Sequence, residues 1–245
     1  MSLQLIYPDW PLQDKLVAFT TTRKGGASKR PYHELNPALH VGDNQQNVLC
    51  NRQHIQQYLG VADDVKWLKQ THSTLVVNAT GIEADEIEAD ASFTTSKNIA
   101  CAVLTADCLP LLFSDRDAKC VGATHAGWRG LVDGVIENTI MAMSQVIKPT
   151  HVWLGPAIGP SALEVGEDVF NAYLERNAAF EACFKVKNPG KWNLDIYQAA
   201  KIVLEAADIS NIYGGSFCTY SDEDQFFSYR RNSVTGRMAT IIARR

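Results

Sequence analysis

Short apolar segments follow one another closely in the middle of this chain, and they constrain the fold more than any other feature. They predict short strands over residues 66–70, 74–79, 99–105, 109–114 and 120–125, with a polar turn at residues 115–119. Strands that follow one another without intervening helices do not fit strict strand–helix alternation. The pattern predicts an α+β fold in which mixed β-sheets pack against flanking helices.

Helical patterns lie on both sides of this region. Asn44 is a candidate N-cap and Gly60 a candidate stop for a first helix. Apolar residues recur every one to four positions from Leu131 to Met143, which predicts a second, amphipathic helix packed on the sheet. Further helices are predicted over residues 167–176 and 196–207, and further strands over residues 16–22, 151–154, 226–229 and 237–243.

The overall composition is that of an ordinary globular protein. With 245 residues, 46% of them hydrophobic and 20% charged, we expect one domain spanning residues 1–245. A formal net charge of -4 argues against a nucleic-acid binder.

We see no signal peptide, and Asp107 and Pro110 interrupt the richest apolar run, so no membrane segment is expected. Six irregularly spaced cysteines predict free thiols and a cytoplasmic location.

An acidic stretch lies between the second and third predicted strands of the central region. It contains Glu83, Asp85, Glu86, Glu88 and Asp90. Runs of like charge are usually hydrated, so we predict a solvated loop here.

Three side chains with metal-binding chemistry lie beside polar or glycine-rich strand ends. They are His72, Cys108 and His125, too far apart in the chain to form a local motif. Two imidazoles and one thiolate suit zinc and leave a fourth position open for water or substrate, as catalytic zinc requires. Taken singly, each has a structural explanation, since a cysteine between strands is usually a small core residue and a histidine there a hydrogen-bonded polar group.

The residues next to two of these ligands also carry possible chemistry. Asp107 lies in an apolar stretch, where a carboxylate is costly unless it is paired or borders a cleft. Residues 126–130 combine a strand end, glycines and a helix start, and the N–H groups of a helix N-terminus attract anions. Arg129 would add a phosphate-binding guanidinium there, unless it pairs with Asp133 four residues later.

Other arginines are either ligand contacts or ordinary surface groups. Arg23 precedes a glycine loop that either approaches a ligand or simply turns the chain. A predicted hairpin places three more cations together, and for each we favour solvation or a salt bridge over ligand binding. These three are Arg230, Arg231 and Arg237.

Taken together, these motifs resemble the YfiH/YlmD-like family, also called the laccase-domain family, whose animal member is FAMIN. The resemblance runs nearly end to end, and its motifs are jointly specific. The matching segments include residues 21–26 (TTRKGG), 40–43 (HVGD), 69–72 (KQTH), 104–110 (LTADCLP), 125–130 (HAGWRG), 155–159 (GPAIG) and 227–231 (FSYRR).

The resemblance implies a purine nucleoside enzyme with a mixed fold likened to cysteine-hydrolase-like toxins. It implies one zinc ion bound by His72, Cys108 and His125. The ligands are then purine nucleosides and phosphate. Adenosine, inosine and methylthioadenosine undergo phosphorolysis to the base and a ribose 1-phosphate or methylthioribose 1-phosphate. Adenosine is also deaminated. The candidate catalytic residues are Asp107, as proton carrier, Cys108 and Arg129. Candidate substrate or phosphate contacts are Arg23, Gln70, Arg129 and Arg230.

Three other functions remain open. Six histidines are too few for the blue site and trinuclear cluster of a multicopper oxidase, but a single copper ion in place of zinc allows polyphenol oxidase activity. A metal-free cysteine hydrolase would use Cys108 as nucleophile and His125 or His72 as base. A non-enzymatic protein with a structural zinc is disfavoured, because such sites usually have four protein ligands.

Overall fold

Strands dominate this computed structural model, which describes residues 3–82 and 87–245. The strands of these residues are β1 (Leu5–Ile6), β2 (Leu16–Thr21), β3 (Asp64–Lys66), β4 (Leu68–Lys69), β5 (Val76–Asn78), β6 (Ile87–Glu88), β7 (Ala91–Thr94), β8 (Ile99–Thr105), β9 (Leu109–Ser114), β10 (Val121–Ala126), β11 (His151–Leu154), β12 (Glu164–Gly166), β13 (Phe184–Asn188), β14 (Lys191–Leu194), β15 (Asn211–Gly214) and β16 (Met238–Arg244). The helices are α1 (Gln45–Leu59), α2 (Trp128–Asp133), α3 (Val135–Ser144), α4 (Glu167–Arg176) and α5 (Ile196–Ala206). None of these helices has the length and apolar character needed to span a bilayer.

Two large sheets hold most of the strands. One has the order β1-β2-β16-β8-β3, and the other has the order β15-β11-β9-β10-β7-β5. The consecutive strands β8 and β9 belong to different sheets, so residues 106–108 cross from one sheet to the other. This crossing carries Asp107 and Cys108.

Alternation along the central strands explains how the layers pack. Val103 of β8 and Leu112 of β9 point into the core between the two sheets. Side chains one position away face outward: Ala102 packs with Ile55 of α1, and Phe113 packs with the core beneath α3. The result is a helix–sheet–sheet–helix arrangement, which confirms the predicted α+β class with mixed sheets and flanking helices.

Some predicted elements have different boundaries in the structure. The helix predicted across residues 131–143 is two helices, because Gly134, at φ 102°, caps α2 and precedes α3. Residues 226–229, predicted as a strand of a hairpin, form a loop instead, and the apolar character of Phe226 and Phe227 reflects burial in a small core. The predicted strand 66–70 is divided between β3 and β4, which belong to different sheets.

The acidic stretch contains the clearest error. Glu83, Asp85 and Glu86 lie outside the described residues. Glu88 is exposed, but it belongs to β6 rather than to a loop, and Asp90 is fully buried. A buried carboxylate needs partners, and those of Asp90 lie in the candidate site.

Candidate metal centre

Three ligand atoms converge where the chain crosses between the sheets. His72, Cys108 and His125 each offer one nitrogen or sulfur atom, and these atoms lie within 4.8 Å of one another, the one such group among the described residues. Sγ of Cys108 is 3.8 Å from Nε2 of His72. Tetrahedral zinc with bonds of about 2.3 Å to sulfur and about 2.0 Å to nitrogen requires a separation of about 3.5 Å between these two atoms. The donor set and the separation of Cys108 from His72 therefore fit a single ion with one position left for a further ligand.

Pairing of β9 with β10 brings two of the ligands together. Leu109 pairs with Ala126, which places Cys108 and Gly127 together just beyond the paired strands. A Cβ atom at Gly127 would lie 3.0 Å from Cδ2 of His72 and 3.1 Å from Sγ of Cys108. The missing side chain at position 127 thus makes room for the cluster.

Asp90, just before β7, connects the two histidine ligands. Its Oδ1 lies 2.7 Å from Nδ1 of His125, and its backbone carbonyl accepts from the His125 N–H at 2.7 Å. The backbone N–H groups of Thr71, His72 and Ser73 also donate to this carboxylate, as does the Ser73 hydroxyl. A carboxylate on the second nitrogen of a metal-binding histidine fixes the ring and leaves Nε2 for the ion.

The charges of these groups reinforce one another. Burial raises the pKa of Asp90, but the hydrogen bonds from His125 and Ser73 outweigh it and lower that pKa to about 2. Burial likewise opposes ionisation of Cys108, but the neighbouring imidazoles of His125 and His72 lower its pKa to about 6. The pKa of His125 rises to about 9, because Cys108 and Asp90 outweigh the effect of burial. The surroundings thus favour a thiolate at Cys108, the form that binds metals.

His72 is the exposed member of the cluster. It lies on the loop between β4 and β5, with a left-handed backbone φ of 58°. Its ring packs edge-on against His125, with ring centroids 4.9 Å apart. Its position therefore depends on the loop, and the loop depends on Asp90.

Asp107 anchors the opposite wall of the site. Its backbone has a φ of 98°, and its Oδ1 accepts from the Thr219 hydroxyl at 2.7 Å. Its Oδ2 accepts from the Ser228 hydroxyl at 3.0 Å and the Arg230 backbone N–H at 2.7 Å. The carboxylate therefore ties distant loops to the crossing between the sheets. A role in proton transfer stays a prediction.

Two adjoining cavities meet at the cluster. The first, called here the polar lobe, has a volume of about 420 Å³, and its lining includes His40, Gln70, Thr105 and Arg237. The second, the apolar lobe, has a volume of about 270 Å³, and its lining includes Asp107, Trp128, Ile158, Leu163, Ile196 and Arg230. His72, Cys108 and Tyr229 line both lobes. A bound molecule that fills both lobes would pass directly over the metal-binding side chains.

The chain matches a family model described as "Multi-copper polyphenol oxidoreductase laccase" over residues 17–245. The chain belongs to this family. A purine nucleoside phosphorylase of Pseudomonas aeruginosa is 43% identical over 236 residues, covering 96% of both chains. The purine nucleoside phosphorylase YfiH of Escherichia coli is 42% identical over 239 residues, covering 98% of both.

Solved structures show the same relationship. A crystal structure of a Neisseria meningitidis protein, 43% identical, superposes with a TM-score of 0.93 and covers 100% of this chain and 99% of that one. YlmD from Geobacillus stearothermophilus, 30% identical, has a TM-score of 0.87 and covers 96% of this chain and 94% of that one. These likenesses confirm the resemblance to the YfiH/YlmD-like family that the motifs predicted.

The multicopper description of this laccase family does not fit the arrangement of ligands in this chain. Within residues 3–82 and 87–245, one cluster of histidine, cysteine and carboxylate side chains has metal-binding geometry. It contains two of the six histidines. A blue site plus a trinuclear cluster needs more, so this member of the laccase family has ligands for a single ion.

Two further candidate residues border the cavities of this laccase-family chain. Gln70 lines the polar lobe, but both ends of its amide bind the Leu104 backbone, at 2.8 Å through Nε2 and 2.7 Å through Oε1. Arg230 lines the apolar lobe, and its Nη2 donates to the Glu164 carbonyl at 3.0 Å. Their contacts with substrate stay predictions.

The structure does not bring Arg23 and Arg129 to the cluster. Arg23 lines a separate depression of about 200 Å³ and donates to the backbone carbonyls of His33 and Glu223. Arg129 is exposed on the six-residue helix α2 and packs over the Trp128 ring at 5.1 Å. Among the described residues it forms no ion pair with Asp133, the alternative considered for it. The proposed ligand roles of both arginines stay predictions.

Sequence reasoning missed Asp90 because it lies at the end of a run of acidic residues. One signal distinguishes it from the rest of that run. Asp90 immediately precedes β7, whose four residues are all buried. An acidic residue at the start of a wholly buried strand is poorly placed for hydration and so indicates a partner within the fold.

Proposed function

We propose that this protein is a zinc-dependent purine nucleoside phosphorylase acting in the cytoplasm. Its substrates are adenosine, inosine and methylthioadenosine, which react with phosphate to give the free base and ribose 1-phosphate or methylthioribose 1-phosphate. Adenosine deamination is a second activity of the same site. The observation that carries the proposal is near full-length identity of 42% and 43% to relatives named purine nucleoside phosphorylase. The ligand cluster between two cavities supports it.

The reaction makes specific demands on the site. Positive charge develops at C1′ of the ribose while phosphate approaches, and the departing purine gains negative charge. Zinc held by His72, Cys108 and His125 would supply a Lewis acid for the purine or the phosphate and, for deamination, would lower the pKa of a water molecule. Trp128, Ile158 and Leu163 offer the apolar surface that a purine ring or methylthio group requires. Asp107, at the edge of that lobe, is the candidate proton carrier.

A direct test combines metal content with phosphate-dependent base release. We expect the purified protein to hold one zinc ion and to release adenine from adenosine only when phosphate is present. Cys108→Ala and His125→Ala should lose both stoichiometric zinc and phosphorolysis. Cys50→Ala, which removes a thiol from α1, is the matched control and should keep both. Retention of zinc and phosphorolysis by either site variant would show that the assigned ligands are wrong.

A metal-free cysteine hydrolase is a second candidate, and one observation favours it. Cys108, His125 and Asp90 form a thiol–imidazole–carboxylate series, in which Asp90 orients the base. Iodoacetamide labelling separates the two functions. If the protein is a zinc enzyme, zinc should protect Cys108 from alkylation, and chelation should expose the thiol and abolish phosphorolysis. Hydrolysis that survives chelation and stops on alkylation would favour the hydrolase.

Copper-dependent polyphenol oxidation is the other alternative, favoured by the description of the family model. Two imidazoles and a thiolate also bind copper(II), which outcompetes zinc in intrinsic affinity. Protein reconstituted with each metal separates these functions. Phenol oxidation confined to the copper form, with phosphorolysis in the zinc form, would identify oxidation as a result of metal substitution.

A further inference from the structure

The polar lobe contains an arginine, Arg237, that forms no ion pair with a carboxylate among the described residues, although Asp107 attracts its charge and its guanidinium packs over the Tyr229 ring at 5.9 Å. Arg237 precedes β16 and lines the lobe beside Cys108. Its Nη1 donates to the carbonyls of Thr235 and Gly236, each at 3.1 Å. Within residues 3–82 and 87–245, Nε and Nη2 donate to no protein group, and no ion pair involves this side chain. A guanidinium withdrawn from water with unused donors is suited to bind an anionic ligand.

A second polar group in the same lobe also lacks a partner. Thr105, the last residue of β8, is 1% exposed, and its Oγ1 has no hydrogen-bond partner among the described residues. Thr105 pairs with Met238 across β8 and β16, so Arg237 adjoins the cross-strand partner of Thr105, and both residues line the lobe. Buried hydroxyl groups are normally hydrogen-bonded, so one without a partner at a cavity wall suggests a ligand atom.

We propose that Arg237 and Thr105 form the phosphate subsite of this enzyme. The inference rests on the proposed function, which requires phosphate as the second substrate. The arginine supplies charge and two unused N–H directions, and the threonine supplies one hydroxyl donor. Phosphate then occupies the polar lobe and the purine the apolar lobe, with the ribose between them over Cys108. This places phosphate away from Arg129, which lines neither lobe.

The threonine provides the sharper variant. Thr105→Val replaces an unpartnered hydroxyl with a methyl group of similar shape, so the folded protein should be as stable as the wild type or more stable. Loss of a donor to a charged ligand should nevertheless raise KM for phosphate about tenfold. KM for the nucleoside should change little. A purely structural role for Thr105 would not produce this combination.

The arginine should have the larger effect. Arg237→Gln removes the charge and should raise KM for phosphate by about 100-fold, while Arg237→Lys should restore part of the loss. Arg116→Gln is the matched control. It removes an exposed guanidinium from the turn between β9 and β10, outside both lobes, and should leave KM for phosphate unchanged.

Calorimetric titration of the zinc-loaded protein with inorganic phosphate, with and without nucleoside, separates this subsite from the proposed function. Weakened phosphate binding in Arg237→Gln and Thr105→Val, but not in Arg116→Gln, supports the subsite. This holds even if the wild type cleaves no nucleoside, a result that would overturn the proposed function alone. Phosphorolysis with an unchanged KM for phosphate in the folded variants overturns the subsite and leaves the function intact. Absence of both phosphate binding and phosphate-dependent turnover in the wild type overturns both.

Discussion

The two histidines of the metal cluster are held in opposite ways. His125 lies within β10, is 4% exposed, and has its Nδ1 bound to Asp90. His72 is exposed on a loop, and Asp90 binds its backbone N–H rather than its ring. One carboxylate therefore fixes the ring of one ligand but only the backbone of the other. The site therefore has a rigid half, around His125, and an adjustable half, around His72, and altering each half should have unequal effects.

Replacing Asp90 should have the largest effect, because it removes support from both halves. We expect Asp90→Ala to lower the free energy of unfolding by about 3–5 kcal/mol, since it breaks a buried charged network. The milder Asp90→Asn should fold and should bind zinc about 10- to 100-fold more weakly. Chelator competition and thermal unfolding measure the two quantities. If Asp90→Asn bound zinc as tightly as the wild type, the Asp90 charge would not link the rigid and adjustable halves of the site.

Alanine at each histidine tests the comparison directly. Both variants should lose zinc affinity, but in the metal-free proteins only His125→Ala should lower the melting temperature, because it leaves the buried Asp90 carboxylate without its main partner. His72→Ala should stay within about 0.5 kcal/mol of the wild type in unfolding free energy, as exposed substitutions usually do. Equal losses of stability in the two metal-free variants would contradict the distinction.

Crowding the cluster should have a smaller effect. Gly127→Ala places a methyl group 3.0 Å from Cδ2 of His72 and 3.1 Å from Sγ of Cys108. Overpacking of this kind costs about 1–3 kcal/mol, and we expect the low end because the His72 loop can shift. Zinc affinity should therefore fall by about tenfold or less. A complete loss of zinc would show that the exposed half is as rigid as the buried one.

Removing one hydroxyl should have the smallest effect. Ser73→Ala deletes the side-chain donor to Asp90 but keeps the backbone N–H that donates to the same oxygen. We expect a loss of about 1 kcal/mol in unfolding free energy and a modest weakening of zinc binding. Ser96→Ala, after β7, is the control, with zinc affinity as the readout. Identical zinc affinities in the two variants would show that the Ser73 hydroxyl does not help to position His72 for zinc binding.

Sequence patterns predicted the central strands well for a physical reason. β8, β9 and β10 are almost wholly buried, so most of their residues are apolar or small. The same reasoning failed at residues 226–229, where buried aromatic residues belong to a loop. It also failed at Gly134, because apolar periodicity continues across a backbone position that ends one helix and precedes another.

The candidate site was predictable only in part. Ligand chemistry and family motifs singled out His72, Cys108 and His125, which the fold brings together. The importance of Asp90 and Arg237 depends on strand register, since β7 lies beside β10 and β16 beside β8. Neither neighbour is adjacent in the chain, so local patterns did not identify the groups that these two residues contact, although the buried strand after Asp90 indicates that it has a partner.

The position of β16 has a consequence for biosynthesis. This strand lies in the middle of its sheet, between β2 and β8, although both neighbours leave the ribosome much earlier. Until residues 238–244 emerge, the nascent chain exposes two unpaired strand edges, which are templates for aggregation. We therefore expect a chain stopped before residue 238 to depend on chaperones and to precipitate rather than accumulate as a folded fragment.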